Sequence, residues 1–567
     1  MQEDMKKGID RRSFLKGALA TGAVATTAMM TGCSPSGSGG QSSTGDGAGG
    51  SAASGGKHTW EVAPKPITDI AETKDYDIVI VGCGLAGLSA AEAAARNGAK
   101  VAVLERADGF QVRGVDVGHI GSQYHLRTGF DVDPRLPAMM LHQWANQTTN
   151  YNLIYTWASR SGKVFDYIEG MVDKYGVWMV PALSATAKST WYDLPMKWRV
   201  HPDAVSFVKG DEDGMARPDG NLSTYTLGEC LYDSSLQNGA EYFFMTKGEQ
   251  LVGNAASGIS GVIALAEDGG YVQFNASKGV ILCTGDIAGN QEMIDAFAPI
   301  CNRSDSFIYT PPGGNTGDAI TMGCWAGAAI SKSPAAPMVH QFTLDTITFN
   351  LSSFIMSWLA VNQNGQRYGA EIPFEPYLTN ARMNTPGSIA WSICDSDYPT
   401  YMKTQWPDKH EVWLDGLQEE MDRQAGVGGL FKADTLEELA DMIGVPADTF
   451  VATVERYGSM FDKGEDTDFD VPARFLSKIQ TPPFYAMPLY CSTLAVCFGL
   501  HVNDDSQVCT EDDEPIGGLF AIGNAQGDFF GNDYPVHFPG ISQGRCVTFG
   551  QLVGEALAKD TVITKTA

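Results

Sequence analysis

Basic residues are in short supply: 39 Lys and Arg stand against 67 Asp and Glu, a formal net charge of -28. That balance excludes a nucleic-acid binder, because phosphate recognition needs a cationic stripe that releases counterions. It leaves a solvated acidic surface or, less commonly, one that steers a basic redox partner. No two of the eleven cysteines are spaced C-x-x-C, which removes the haem-attachment pattern and the four-cysteine zinc and iron–sulfur patterns. Cys491 and Cys497 come nearest to a pair; scattered buried thiols are the plain reading and a cluster built from distant cysteines the alternative. No metal site is expected. Long apolar runs are missing too: the mildly apolar stretch Gly17 to Thr31 is too short to stay across a bilayer.

What is present begins with an export signal. Asp10-Arg11-Arg12-Ser13-Phe14-Leu15-Lys16 fits the twin-arginine pattern, and Met30-Thr31-Gly32-Cys33 resembles a lipoprotein processing box with Cys33 as the lipidated residue. An unprocessed anchor is the alternative at that box. Twin-arginine export moves proteins already folded, which suits one that takes up a cofactor first. Residues 1–32 are therefore expected to be the signal. Residues 33–72 are expected to be a flexible linker, because Ser34 to Gly56 is Gly, Ser and Ala with almost no apolar bulk to bury. The signal carries five Lys/Arg and three Asp/Glu, so the acidity belongs to the body. At 567 residues the chain exceeds one ordinary core, and two or more structural units are predicted.

The first unit opens on a dinucleotide fingerprint. Asp77 to Val81 is a short β-branched run that predicts a buried parallel strand, and it enters Gly82-Cys83-Gly84-Leu85-Ala86-Gly87 directly. An Ala-rich helix follows from Ser89 to Asn97, Gly98 closes it, and a second strand, Lys100 to Leu104, ends on Glu105. Gly82 permits the tight turn, Gly84 lets backbone approach a pyrophosphate, and Gly87 lets helix and strand pack closely. The helix start offers unpaired N–H groups to phosphate, and Glu105 can accept from ribose hydroxyls. No second strand-linked G-x-G-x-x-G follows. FAD with an outside electron source is thus expected, without a nicotinamide domain.

Three later segments, with this one, resemble the fumarate reductase and succinate dehydrogenase flavoprotein family, which includes urocanate reductases and 3-ketosteroid dehydrogenases. Lys278 to Asn290 is similar to its A-T-G-G-F-x-G-N strand and turn, with Cys283 and Asp286 at two normally small positions. Asn315-Thr316-Gly317-Asp318 is similar to its T-G-D-G helix start. Gly517 to Asn524 resembles P-G-L-Y-A-A-G-E, with Asn524 in place of Glu at the ribityl position. Gly540-Ile541-Ser542-Gln543-Gly544-Arg545 resembles the helix that aims its N-terminus at the flavin.

The resemblance implies an α/β fold, with a Rossmann-type FAD-binding domain assembled from both ends of the chain and an inserted α+β capping domain. It places the first FAD part at 73–325, the cap at 326–481 and the second FAD part at 482–560, with helices from Leu136 to Tyr175 decorating the FAD domain. Beyond Gly82, Gly84, Leu85, Ala86, Gly87 and Glu105, it implies cofactor contacts from Arg106, Ser122, Val252, Thr284, Gly285, Asn290, Asp318, Gly523, Asn524, Gly540, Ile541 and Ser542.

The same resemblance shows which substrate groups are missing. The family's H-H-T-M-G-G stretch aligns with Leu494 to Gly499, which holds no histidine, and its A-N-R-L-G-G arginine falls in Asn532 to Gly540, which holds no arginine. Its proton-donating arginine aligns with Glu375. A dicarboxylate would lose water there without gaining partners, so fumarate is disfavoured. Aromatic and apolar residues stand instead: Phe498, Phe529, Phe530, Tyr534 and Phe538, with Tyr485 and Trp358 as further candidates. Tyr534-Pro535 resembles the Y-P-G-P-G of 3-ketosteroid dehydrogenases, where a tyrosine hydroxyl polarises a ketone, though two extra residues separate Tyr534 from Gly540 here.

These features suit reduction of an activated C=C bond in an enone, unsaturated lactone or aryl acrylate, with Tyr534, Arg382 and His537 as candidate catalytic groups in falling order. His340 resembles a family substrate histidine only loosely. The chain is also similar to exported anaerobic reductases of the cardiac glycoside reductase type. It carries neither C-x-x-C-H nor an FMN-attachment S/T-G-A-T/S motif, so a membrane-bound or exported cytochrome or quinol oxidoreductase is expected to supply electrons. The alternatives are a 3-ketosteroid-type dehydrogenase running the chemistry backward, a fumarate- or urocanate-like reductase, and a lipoprotein that binds without catalysis. Replacing Arg11 and Arg12 together with Lys is expected to hold the protein in the cytoplasmic fraction; unchanged export on cell fractionation would remove the twin-arginine reading.

Overall fold

The computed structural model describes residues 57–181, 204–209, 223–311, 313–340, 356–371, 377–407, 410–427, 429–536 and 538–563. The expectations for the export signal, most of the linker and His537 lie outside these residues. The first strand, β1 (Ile70–Val81), ends in the apolar run Ile78 to Val81, each residue at most 4% exposed, as a strand covered on both faces must be. Helix α1 (Leu85–Arg96) returns over it to β2 (Val101–Leu104), parallel to β1. Helix α2 (Tyr151–Asp173) packs on the outside, burying Leu153, Trp157, Phe165 and Ile168. The short β3 (Glu241–Phe243) extends the sheet beside β2. Strands β4 (Lys247–Asn254) and β5 (Gly258–Leu265) form a hairpin that pairs with β6 (Tyr271–Leu282).

Beyond β6 come α3 (Gln291–Phe297), β7 (Ser306–Phe307), α4 (Asp318–Trp325) and β8 (Ala336–His340). A second sheet then builds up from β9 (Leu359–Asn362), which is followed by helix α5 (Tyr377–Met383), then β10 (Ala390–Asp395) and β11 (Phe431–Ala433). Helices α6 (Leu436–Ile443) and α7 (Ala447–Lys463) lead to β12 (Phe484–Pro488), and the antiparallel order is β9-β10-β12-β11. Its period of two is explicit in the packing. Leu359, Val361, Ile393 and Ala486 face one core with α6 and α7, while Ala360, Cys394, Tyr485 and Met487 face another. Strand β12 lies past residue 481, where the sequence reading ended the capping unit, because it pairs with β10 and β11 rather than with the first sheet.

The G-Q-R-Y-G-A-E segment has a structural task in this unit. Arg367 meets Glu371 at 2.6 Å and Asp466 at 2.7 Å, with all three side chains at most 5% exposed. The guanidinium holds the Asp466 carboxyl down at about 2. Below that unit, β13 (Ser492–Cys497) lies between β8 and β7 in a three-stranded sheet that joins the two larger ones.

The chain then returns to its start. Strand β14 (Gln507–Cys509) pairs with β15 (Pro515–Ala521), and β15 runs parallel to β6. The principal sheet therefore reads β14-β15-β6-β1-β2-β3, the doubly wound arrangement of a Rossmann-type α/β fold. Helix α8 (Ile541–Ala558) closes over α1. The approach is so close that a Cβ at Gly554 would collide with the carbonyl of Ala90. Arg367→Ala would strand two buried carboxylates and is expected to cost about 3–5 kcal/mol in denaturant unfolding; a loss within about 0.5 kcal/mol, the scale of a surface change, would contradict the burial argument.

Candidate cofactor and active site

A cavity of about 610 Å3 opens where β1, β2 and β6 end, at Val81, Leu104 and Cys283. This volume falls within the roughly 300–1,000 Å3 usual for cofactor sites, and the carboxyl edge of a doubly wound sheet is where such sites form. One wall is the start of α1, whose N-cap Gly84 supplies no side-chain cap. Its first-turn N–H groups are therefore available to an anion. A Cβ at Gly87 would strike the carbonyl oxygen of Gly82, which is why the turn needs glycine there. At the end of β2, Glu105 is 7% exposed and accepts from Cys83 N at 2.8 Å and Ala107 N at 2.9 Å, so its carboxylate is fixed on the cavity wall. Arg106 donates to the Gly313 carbonyl across the opening.

The opposite wall comes from the C-terminal part of the chain: Gly523, Asn524, Ser542, Gln543 and Cys546. Asn524 is its centre. Its Oδ1 accepts from Arg545 Nη2 at 2.7 Å and Ser542 Oγ at 3.3 Å, and its Nδ2 donates to Asp286 Oδ2 at 3.4 Å. Arg545 is 1% exposed, lies over the rings of Phe529 and Phe530, and makes no ion pair among the described residues. Tyr534 is 3% exposed, and its hydroxyl oxygen accepts from Ser542 N at 3.1 Å. Burial pushes its phenol above the ordinary tyrosine value, so the hydroxyl keeps its proton at neutral pH. With the oxygen already accepting, that proton is the part left to donate.

Of the predicted cofactor residues, Gly82, Gly84, Leu85, Ala86, Glu105, Arg106, Thr284, Gly285, Asp318, Gly523, Asn524 and Ser542 line the cavity. Others stand behind it. Gly87 supports the turn, Gly540 is the left-handed N-cap of α8, and Ile541 is buried in the core. Asn290 caps α3 and donates to the Thr316 carbonyl at 3.0 Å. Two are not among the lining residues. Ser122 caps the short helix Gln123–Arg127 and lies 2.6 Å from His119 Nε2. Val252 stands further along β4, four residues past the lining residue Gly248.

Sequence similarity agrees with this geometry. Residues 214–534, more than half of the chain, match the FAD binding domain family; residues 77–321 match the FAD dependent oxidoreductase family, and residues 8–28 the twin-arginine translocation signal. The chain belongs to the FAD-binding fumarate reductase/succinate dehydrogenase flavoprotein family. The flavoprotein is 23% identical to the vinyl phenol reductase of Lactiplantibacillus plantarum over 87% of this chain and 98% of that one. It is 25% identical to the urocanate reductase of Eggerthella lenta over 84% and 74% respectively. In fold it is similar to a 3-ketosteroid dehydrogenase of Rhodococcus jostii, with a TM-score of 0.66 at 22% identity, covering 87% of this chain and 98% of that one. FAD is its cofactor, and its signal directs export. Among the described residues no helix is long and apolar enough to cross a membrane.

Of the aromatic residues expected at the substrate site, Phe529, Phe530 and Tyr534 form one packed group. Tyr485 and Trp358 do not join it: both are buried in the core of the second sheet, because β12 and β9 carry them to that face. Phe498 packs on Phe297, with ring centroids 4.6 Å apart. Arg382 is 4% exposed rather than on the surface. Its Nη2 donates to Asp305 at 3.0 Å, whereas Nε and Nη1 have no acceptor among the described residues. It does not hydrogen-bond to Tyr534. His340 is buried on β8 opposite Ser492.

Sequence reasoning missed Arg113, Asn315 and Asp533. Arg113 bridges the Tyr309 carbonyl and Asn315 Oδ1, from a loop with no motif of its own. Asp533 accepts from Asn380 of α5 at 3.1 Å, and burial pushes its carboxyl up to about 7. Its one sequence signal is an acid directly before the Tyr534-Pro535 pair. Gly87→Ala is expected to yield folded protein with markedly less bound FAD, read from the flavin-to-protein absorbance ratio; full occupancy would show that the turn has slack.

Proposed function

We propose that this exported flavoprotein reduces an activated C=C bond of the enone, unsaturated lactone or aryl acrylate type, with electrons supplied by a cytochrome or quinol partner. Bound FAD supplies hydride transfer when reduced. The observation that carries the reading is Tyr534. A buried phenol, kept protonated by burial and with its oxygen engaged by Ser542 N, presents a donor to a carbonyl held beside Phe530. Such a donor stabilises the negative charge that grows on a carbonyl oxygen conjugated to the reacting bond. The two donors of Arg382 that have no acceptor among the described residues fit one further carbonyl or carboxylate group, consistent with an aryl acrylate. A second carboxylate finds less support among the described residues, since Arg367 is committed to Glu371 and Asp466 and Arg545 gives Nη2 to Asn524 and keeps only Nε without an acceptor.

The relatives support this class, since vinyl phenol reductase and urocanate reductase are both named for reducing C=C bonds. Asp533 lies next in the chain to Tyr534 and titrates near neutrality, which suits a reservoir for the proton that the α-carbon must receive. Outside the described residues, Cys33 lipidation after signal removal would tether the body to the outer face of the membrane, and residues 34–56 would give it reach toward a membrane-bound donor; from Trp60, which is buried, the chain is already docked on the body.

With reduced viologen as donor, the protein is expected to consume electrons only when an activated alkene is added. Tyr534→Phe should retain FAD and lose at least about 100-fold in kcat. Unchanged turnover in that variant would remove Tyr534 from the chemistry. Turnover only with an artificial oxidant and a saturated ketone would make the protein a dehydrogenase.

A further inference from the structure

Two departures from the family's motif letters meet in space. Asp286 stands where A-T-G-G has its second glycine, and Asn524 stands where P-G-L-Y-A-A-G-E has its glutamate. They touch: Asn524 Nδ2 lies 3.4 Å from Asp286 Oδ2, and both residues line the FAD cavity. The carboxylate lost from the second position has thus returned at the first. On its other side Asn524 accepts from Arg545 at 2.7 Å, so one amide separates a buried carboxylate from a buried guanidinium. Neither charge has a direct ion-pair partner among the described residues.

Asp286 is 3% exposed; its Oδ1 accepts from Ala288 N at 2.9 Å, and the backbone of Val496 also favours its charged form. The side-chain contacts of Oδ2 among the described residues are long, Asn315 and Asn524, both at 3.4 Å. A buried carboxylate so weakly held is poised to change charge when its surroundings do. The titratable groups that face it are Arg113 from the loop after β2, Cys301 beyond α3 and Cys497 at the end of β13; Arg545 lies behind Asn524, and Asp318 and Glu105 line the same cavity. Arg113 is the only cation among those in direct Coulombic reach.

We propose that Asp286 takes up one proton from solvent when the flavin in this cavity receives two electrons, and returns it when the flavin is reoxidised. Reduction brings two electrons and one proton to the ring, leaving it negative; the proton on Asp286 balances that charge, and no other oxidant or reductant is needed. Asn524 is the positioning residue that couples the carboxyl to the start of α8. The inference rests on FAD occupying the cavity and not on which acceptor is reduced. Burial pushes the Asp286 carboxyl up to about 6 without the ring's added charge, so a further rise carries it into the neutral range.

The test is a spectroelectrochemical titration of the purified holoprotein at a series of pH values. Between about pH 6 and the higher value that the carboxyl reaches beside the reduced ring, the wild-type flavoprotein is expected to take up two protons per two electrons, and Asp286→Asn one. Asp286→Gly, which restores the motif residue, should behave as Asp286→Asn does. Equal proton counts in wild type and variant would overturn the proposal. Should neither variant retain flavin, the wild type decides alone: its reduced-minus-oxidised infrared spectrum must gain a protonated-carboxyl carbonyl band, and absence of that band overturns the proposal. Flavin absorbance in the wild type reports separately on whether the cavity holds FAD.

Discussion

Helix α8 lies on α1 with backbone nearly touching backbone, and one buried carboxylate pins the contact. Glu92 is fully buried and receives Arg96 from its own helix, Gln551 from α8 at 2.7 Å, Tyr167 from α2 and Ser234 from the helix Ser223–Gln237. Four helices thus share a single acceptor, which is costly unless every bond is made and cooperative when they are. The contact has a functional consequence. It sets the start of α8, with Ser542 and Gln543, across the cavity from the dinucleotide turn at the start of α1. The cofactor site therefore exists only when both ends of the chain have been brought together.

The distribution of charge then separates two kinds of site. The cavity has fixed acids and bases along its length, with Glu105, Arg106, Arg113, Lys247, Asp286 and Asp318 all in or against its walls. The proposed substrate side around Tyr534 is poorer in charge: rings pack around the phenol, and Arg545 beside them gives Nη2 to Asn524. On the proposed reading such surroundings would favour flat, conjugated, weakly charged molecules over those carrying two carboxylates, since each carboxylate would lose hydration without replacement.

Much of this was legible in the chain. The strand, glycine turn, helix, strand and terminal acid from Asp77 to Glu105 fix a local geometry through backbone requirements alone, and the structure places them accordingly. Asn524 and Ser542 were legible through motif resemblance. Val252 and Ser122 lie off the cavity lining, where resemblance carries a residue's type but not its reach: one stands further along a strand, the other serves a helix cap. Trp358 and Tyr485 illustrate a different limit: an aromatic on a strand faces one of two sides, and only the register of β9 and β12 decides which. Arg113 and Asp533 depend on long-range closure of loops, which leaves no periodic signal.

The central claim is that reduced FAD in this site gives its electrons to an activated, at most singly charged alkene. Anaerobic single-turnover mixing addresses it most directly: enzyme reduced in advance is mixed with one acceptor at a time while the flavin absorbance is followed. The account predicts prompt return of the oxidised flavin spectrum with an enone, unsaturated lactone or aryl acrylate, and slow or no return with fumarate. Rapid reoxidation by fumarate, with none by the less charged acceptors, would contradict it.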